Sequence, residues 1–337
     1  MIKTVGIVGL GALGVLYGSQ LLEKMDREDL LIIADGERIR RYQAEGVYAN
    51  GKKCDFRYVT PEEGEEVDLL IFAVKYMALE EAMEMARPFC GERTIVMSFL
   101  NGVSSEQMIE NILKPKRLLY SCVQGMDATR VETPPRCSSA DIPPEGRGCH
   151  PARAGRVAYE RNATRLGDAV DRKVFYSKVG YIAFGEKDSS RSEAVCEVEE
   201  FFERTGLEYK VPEDIRHQLY SKWMLNVGVN QTCAVFGVDY GGVQKPGKYR
   251  DIMVTAMKEA GSVAAAEGIP LTEEDLQGWL NTIDGLAPTG QPSMRQDALA
   301  GRQTEVELFA GTVCALGRRH GIPVPQNEEF YRLLTRK

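Results

Sequence analysis

The feature that most constrains this 337-residue chain is at its start. The apolar run Thr4–Val8 leads into Gly9-Leu10-Gly11-Ala12-Leu13-Gly14, and a helical pattern follows over Ala12–Met25. A GxGxxG motif is weak alone, but strand, glycines and helix in this order are the context a dinucleotide-binding βαβ unit requires. Gly9 permits the tight turn, Gly11 lets the backbone approach a pyrophosphate, and Gly14 lets the helix pack on the strand. The helix N-terminus then offers N–H donors and the positive end of its dipole to phosphate. Residues 9–14 are therefore the first cofactor-binding candidates. The same stretch, Val5–Leu22, is 18 residues without a charge, close to membrane-spanning length. Five glycines, with only Lys3 as a cation ahead of the run and no convincing small-residue cleavage site, argue against a membrane span or a signal peptide.

Further apolar runs occur at Leu30–Ala34, Val67–Val74 and Thr94–Leu100, with a weaker one at Leu118–Val123. They are continuous rather than alternating, and helical segments separate them. That texture predicts a parallel sheet covered on both faces. Residues 131–173 break it. They hold five of the 15 prolines, seven arginines and one aromatic residue, with no sustained periodicity, so they read as a long loop insertion. Regular texture resumes at Val174–Tyr176 and Tyr181–Phe184, followed by a helix near 190–205 and a strand at Leu207–Val211.

Beyond Pro212 no strand is expected. Pro212 suits the first turn of a helix running to about Gly237, and a second helix spans about 249–268. Thr272 with Asp275 is a weaker capping pattern. Thr304 with Glu307 is a full capping box, opening a helix that ends near Gly321. The fold class is α/β: a Rossmann-type dinucleotide-binding domain over 1–211, then an all-helical domain over 212–337.

Lys plus Arg number 42 and Asp plus Glu 49, a net charge of −7, which disfavours nucleic acid or an anionic membrane as a partner. The eight cysteines show no CxxC spacing, so free thiols in a reducing cytoplasm are expected. His150, His217 and His320 are not clustered with other ligands, and no metal is expected; Cys149-His150 has only Cys137 nearby.

Asp35 ends the second strand, 21 residues after Gly14, where an acid accepts from the adenosine ribose and favours NAD. Arg38, Arg40 and Arg41 follow at once and suit a 2′-phosphate, or else a solvated helix face. NAD(H) and NADP(H) both stay open on these residues. Lys75 and Asn101 directly follow the third and fourth apolar runs, at the sheet edge where open α/β sheets bind ligands. Lys222, Asn226 and Asn230 recur every four residues and share one face of an apolar helix. Asparagines there need partners, either a small polar ligand or a network to other helices. Ser293 and Glu305 would lie about 18 Å apart in an unbroken helix. A break at Gly301 can bring them together.

The chain resembles the ketopantoate reductase (2-dehydropantoate 2-reductase) family. The resemblance is carried by residues 9–14, Val74-Lys75, Asn101-Gly102, the K-x3-N-x3-N pattern at 222–230 and the S-x11-E pattern at 293–305, and covers nearly everything outside 131–173. It implies NADPH-dependent reduction of 2-dehydropantoate to pantoate on the way to coenzyme A, in a cleft between the two domains. By the same resemblance Lys222 is the general acid and Glu305 orients it. Asn101, Asn226, Asn230 and Ser293 bind the 2-oxo acid, with Asn101 and Lys75 near the nicotinamide. A homodimer is compatible with it. The chain departs from the family pattern at Asp35, where an arginine is usual, and in the insertion. Two other readings remain: a reductase of another 2-oxo acid, and a dinucleotide-binding regulator without turnover. A proton donor argues against the second.

Overall fold

The computed structural model describes residues 1–131 and 172–336. Its strands are β1 (Val5–Val8), β2 (Leu30–Ile33), β3 (Val47–Ala49), β4 (Lys52–Lys53), β5 (Arg57–Val59), β6 (Leu69–Phe72), β7 (Ile95–Ser98), β8 (Arg117–Gln124), β9 (Thr129–Val131), β10 (Arg172–Phe175), β11 (Tyr181–Gly185) and β12 (Tyr209–Lys210). The main sheet runs β5-β2-β1-β6-β7-β8-β11-β12. The first six of these are mutually parallel, and β11 joins β8 antiparallel. This is the doubly wound order, whose direction reverses between β1 and β6.

The apolar runs are continuous because both faces of each strand are buried. Val5, Ile7, Leu30, Ile32, Leu69 and Ile71 point into one core, and Val8, Leu31, Ile33, Leu70 and Phe72 into the other. Helices α1 (Ala12–Leu22) and α2 (Gly36–Glu45) follow β1 and β2; α3 (Leu79–Ala86), α4 (Ser105–Ile112) and α5 (Glu193–Thr205) complete this part. Val195, Phe201 and Phe202 of α5 lie in the first core with Leu16 and Tyr17 of α1, while Met83 and Ile109 of α3 and α4 lie in the second. Helix α1 is 11 residues long, and no helix among the described residues is long and apolar enough to cross a membrane.

A second sheet, β4-β3-β10-β9, was not expected from the sequence. Strand β9 reaches to Val131 and its neighbour β10 begins at Arg172, so both ends of the expected insertion are strand residues, paired antiparallel. The rest of that insertion, with Cys137, Cys149 and His150, lies outside the described residues.

The C-terminal part is helical: α6 (Ile215–Phe236), α7 (Tyr240–Gln244), α8 (Lys248–Ala266), α9 (Glu273–Asp284), α10 (Ser293–Leu299), α11 (Ala310–His320) and α12 (Pro325–Thr335). Sequence reading missed α7 and α12; α10 ends at Leu299, just before the break it offered at Gly301. It also put Pro212 in the first turn of α6, whereas Asp214 is the cap, accepting from the backbone N–H of His217 at 3.0 Å. The Thr272–Asp275 capping box is present. The Thr304–Glu307 box is not. Residues 306–308 form a 3-10 turn, α11 starts only at Ala310, and the Glu307 carboxylate instead accepts from the Tyr331 hydroxyl at 2.9 Å.

Candidate active site

The C-terminal ends of β1, β2, β6 and β7 open on one cavity of about 350 Å³, lined among others by Gly9, Gly11, Arg38, Lys75, Asn101, Ser293 and Glu305. Leu10, Ala12 and Leu13 also face it. Gly9 has φ +101°, and a Cβ there would lie 2.7 Å from the Ala73 carbonyl oxygen; a Cβ on Gly14 would lie 1.9 Å from the Gly9 carbonyl oxygen. Both glycines are needed for the turn to close, and they leave the N-terminus of α1 facing the cavity. Asp35 also caps its own helix, α2: its carboxylate accepts from the Arg38 backbone N–H at 2.7 Å and lies 3.3 Å from Arg38 Nε. The side chains from α2 that line the cavity are Arg38, Arg41 and Tyr42.

At the other end, two halves of the chain meet through hydrogen bonds. Lys222 Nζ donates to Asn101 Oδ1 at 3.1 Å and to the Val123 carbonyl at 2.6 Å. Asn101 Nδ2 donates to Glu305 Oε2 at 3.3 Å, so a donor and an acceptor fix which way the amide faces. Glu305 Oε1 lies 3.3 Å from Lys75 Nζ, which also donates to Asp297 Oδ2 at 3.0 Å. Arg302 Nε donates to Asp297 Oδ1 at 2.8 Å. Asp297 and Arg302 were not among the sequence candidates. Asp297 follows Ser293 by four residues, one helical turn, and that spacing could have found it.

Glu305 is held opposite Lys222 by buried neighbours on α6. Trp223 Nε1 donates to the Leu308 carbonyl at 2.8 Å, and Gln231 Oε1 accepts from the Ala310 N–H at 2.9 Å. Leu308 then packs on the Asn101 turn. A Cβ on Gly102, whose φ is +98°, would come within 3.0 Å of its Cδ2. The bend between α10 and the 3-10 turn brings Ser293 and Glu305 to the same cavity. Asn226 and Asn230 are buried further along α6, at 3.5 Å from each other, and do not join the bonded chain.

Burial pulls the Lys222 ammonium below the ordinary lysine value, with Cys122, Glu305 and Glu106 opposing the shift. Desolvation also acts against Lys75, but Glu305 and Asp297 outweigh it and raise its pKa. The six described cysteines are free, and no group of three or more His, Cys, Asp or Glu among the described residues could hold a metal ion.

A doubly wound sheet with a glycine turn at its switch point, facing a helical domain that carries a half-buried lysine, defines a dinucleotide-dependent oxidoreductase of two domains. The family profile described as Ketopantoate reductase PanE/ApbA matches residues 5–134, and its C-terminal counterpart matches 214–337. The chain belongs to the ketopantoate reductase family. It is an oxidoreductase of the 2-oxo acid reductase type that uses a nicotinamide dinucleotide. The 2-dehydropantoate 2-reductase of Lactococcus lactis is 23% identical over 341 residues, spanning 98% of this chain and 96% of its own. A PanE/ApbA family ketopantoate reductase from Ralstonia eutropha superposes with TM-score 0.74 at 19% identity, covering 98% of this chain and 97% of that one. D-mandelate dehydrogenase, solved with NADH and anilino(oxo)acetate, gives 0.76 at 21% identity with the same coverage.

Proposed function

We propose that the protein reduces 2-dehydropantoate to pantoate with NADPH, a step towards pantothenate and coenzyme A, and that Lys222 is the proton donor. The observation that carries this reading is the chain Lys222–Asn101–Glu305, whose Asn101 and Glu305 line the dinucleotide cavity. An ammonium has three N–H donors, and Val123 and Asn101 take two. The third is free to meet a substrate oxygen.

When bound, the cofactor supplies a hydride to the ketone carbon. As that C–H bond forms, the carbonyl π electrons move to oxygen. The Lys222 ammonium stabilises the growing charge and passes a proton to it, leaving a hydroxyl and a neutral amine that solvent reprotonates. Its lowered pKa makes the transfer easier than from an exposed lysine. Asn101 and Glu305 position the lysine, and Ser293, Asn226 and Asn230 bind the hydroxy-acid part of the substrate. Lys75, Arg302 and protonated Lys222 give three positive charges against the two of Asp297 and Glu305. A substrate carboxylate brings that cluster to neutrality.

Residues 9–14 would hold the pyrophosphate. Arg38 and Arg41 line the adenosine end while Asp35 is engaged as a cap, which supports NADPH over NADH. Initial rates with 2-dehydropantoate, an aryl 2-oxo acid and smaller 2-oxo acids, each with NADPH and NADH, test the proposal. The highest kcat/KM is expected for 2-dehydropantoate with NADPH. A higher value for another 2-oxo acid contradicts the substrate, and equal or better use of NADH contradicts the cofactor.

A further inference from the structure

One cation that lines the dinucleotide cavity takes no part in the proposed mechanism. Arg130 lies on β9, the outermost strand of the β4-β3-β10-β9 sheet. Side chains alternate along a strand, and residues paired across an antiparallel ladder share a face. Ala128 and Arg130 accordingly both line the cavity. Val174 pairs with Arg130 and is 1% exposed, in the core that holds Leu16 and Tyr17 of α1. Met126 and Ala128 pack against that core, as do Ala12 and Leu13 in the first turn of α1. The face that carries Arg130 is therefore turned to α1, and the residue reaches the cavity from the side of the glycine turn.

Two of the other lining cations already have carboxylate partners. Lys75 pairs with Asp297 at 3.0 Å and with Glu305 at 3.3 Å. Arg38 pairs with Asp35 at 3.3 Å and with Glu81 at 3.1 Å. Arg41 shares α2 with Arg38, at the adenosine end. The carboxylate that lines the cavity is Glu305, and Lys75 and Asn101 engage it. Arg130 pairs with no carboxylate among the described residues, and its Nε is buried without a hydrogen-bond partner. A guanidinium keeps its charge near neutral pH, and a buried N–H left unpaired costs free energy. An anion brought by a ligand removes that cost.

We infer that Arg130 is a pyrophosphate-binding residue: its guanidinium neutralises the diphosphate bridge that the N-terminus of α1 receives. That role rests on the proposed placement of the pyrophosphate at residues 9–14. The glycine turn offers only backbone N–H groups and a helix dipole there, while each phosphate of the bridge carries a full negative charge. A planar guanidinium matches phosphate oxygens and forms paired, charge-assisted hydrogen bonds with them. The carboxylate of the 2-oxo acid has its own cations, in the cluster of Lys75, Arg302 and Lys222.

Direct binding to the full chain tests this without turnover. Fluorescence titration gives Kd for NADPH and NADH. Calorimetry gives Kd for ADP-ribose, which has the pyrophosphate but neither the nicotinamide nor a 2′-phosphate. Arg130→Met keeps an apolar stem and removes the charge. It should weaken all of these ligands by a similar factor, roughly 10- to 100-fold, the worth of a hydrogen bond to a charged group. Arg130→Lys keeps a point charge without the planar fork and should fall between wild type and Arg130→Met. A loss confined to NADPH assigns Arg130 to the 2′-phosphate and overturns the inference. Unchanged Kd values in a folded Arg130→Met overturn it too, and a raised KM for the 2-oxo acid beside them would move the residue to the substrate carboxylate. Should Arg130→Met not fold, Arg130→Lys carries the same comparison, and Kd values equal to those of wild type overturn the inference. A wild type that binds none of these ligands overturns the placement of the pyrophosphate along with it.

Discussion

Lys222 Nζ donates to Asn101 Oδ1 across 3.1 Å, joining residues 121 positions apart in the chain. The bond links the loop after β7, at the dinucleotide cavity, to a helix of the C-terminal part. Because Asn101 also donates to Glu305, its amide holds two charged groups of opposite sign in one geometry. Asn101→Ala removes both bonds without adding charge. Misplacing a reacting group by about 1 Å costs about 10²-fold, so kcat/KM should fall by about that much in steady-state kinetics. A fall of less than about tenfold would mean that Lys222 and Glu305 hold their places without Asn101.

The cofactor assignment turns on α2. Replacing Arg38 and Arg41 together by alanine should raise the KM for NADPH several times more than that for NADH. Arg38 also pairs with Glu81 at 3.1 Å, so circular dichroism should accompany the kinetics to exclude loss of fold. If the double variant alters neither KM, these arginines are a solvated face and the preference lies elsewhere.

Much of this arrangement was legible in the sequence because its signals are local. The glycine turn, the continuous apolar strands and the four-residue spacing of Lys222, Asn226 and Asn230 each need only neighbouring residues. What escaped depends on distant partners. Strand β4 is two lysines, not apolar enough to register until it pairs with β3. Thr304–Glu307 has the right residues for a capping box. Packing of Leu308 against Gly102 and the Trp223 bond to its carbonyl favour a tight 3-10 turn there instead.

The segment between β9 and β10 should be removable. Val131 pairs directly with Lys173 in the antiparallel register, so a short turn can join the strands. Cutting 131–173 would remove strand residues; replacing 132–171 by a short linker would not. Loop length costs only about 0.6 kcal/mol per doubling. The shortened chain should keep its melting temperature and its reductase rate. A soluble but inactive product would show that the segment reaches the active site.

Stability should fall as pH rises between about 4.5 and 7. Burial raises Glu106 from 4.5 to about 7, so in that window the folded chain keeps a proton that the unfolded chain has lost. The stabilisation is complete below 4.5 and gone above 7, a difference on the order of 3 kcal/mol. Thermal melts should show wild type losing several degrees across this window through that group. Glu106→Gln, which cannot titrate, should have a flatter profile. An equally steep slope in the variant would assign the pH dependence to other residues.

The central claim is that Lys222 gives the proton. Loss of a general acid costs about 10² to 10⁴ in rate, or roughly 3 to 5.5 kcal/mol of transition-state stabilisation. The direct measurement is kcat of Lys222→Ala with 2-dehydropantoate and NADPH, beside a fluorescence titration of NADPH binding. A fall in kcat of that size, with cofactor affinity within a few-fold of wild type, is the result expected. A kcat reduced by less than about tenfold, with the fold intact, would contradict the assignment and make the lysine a packing residue.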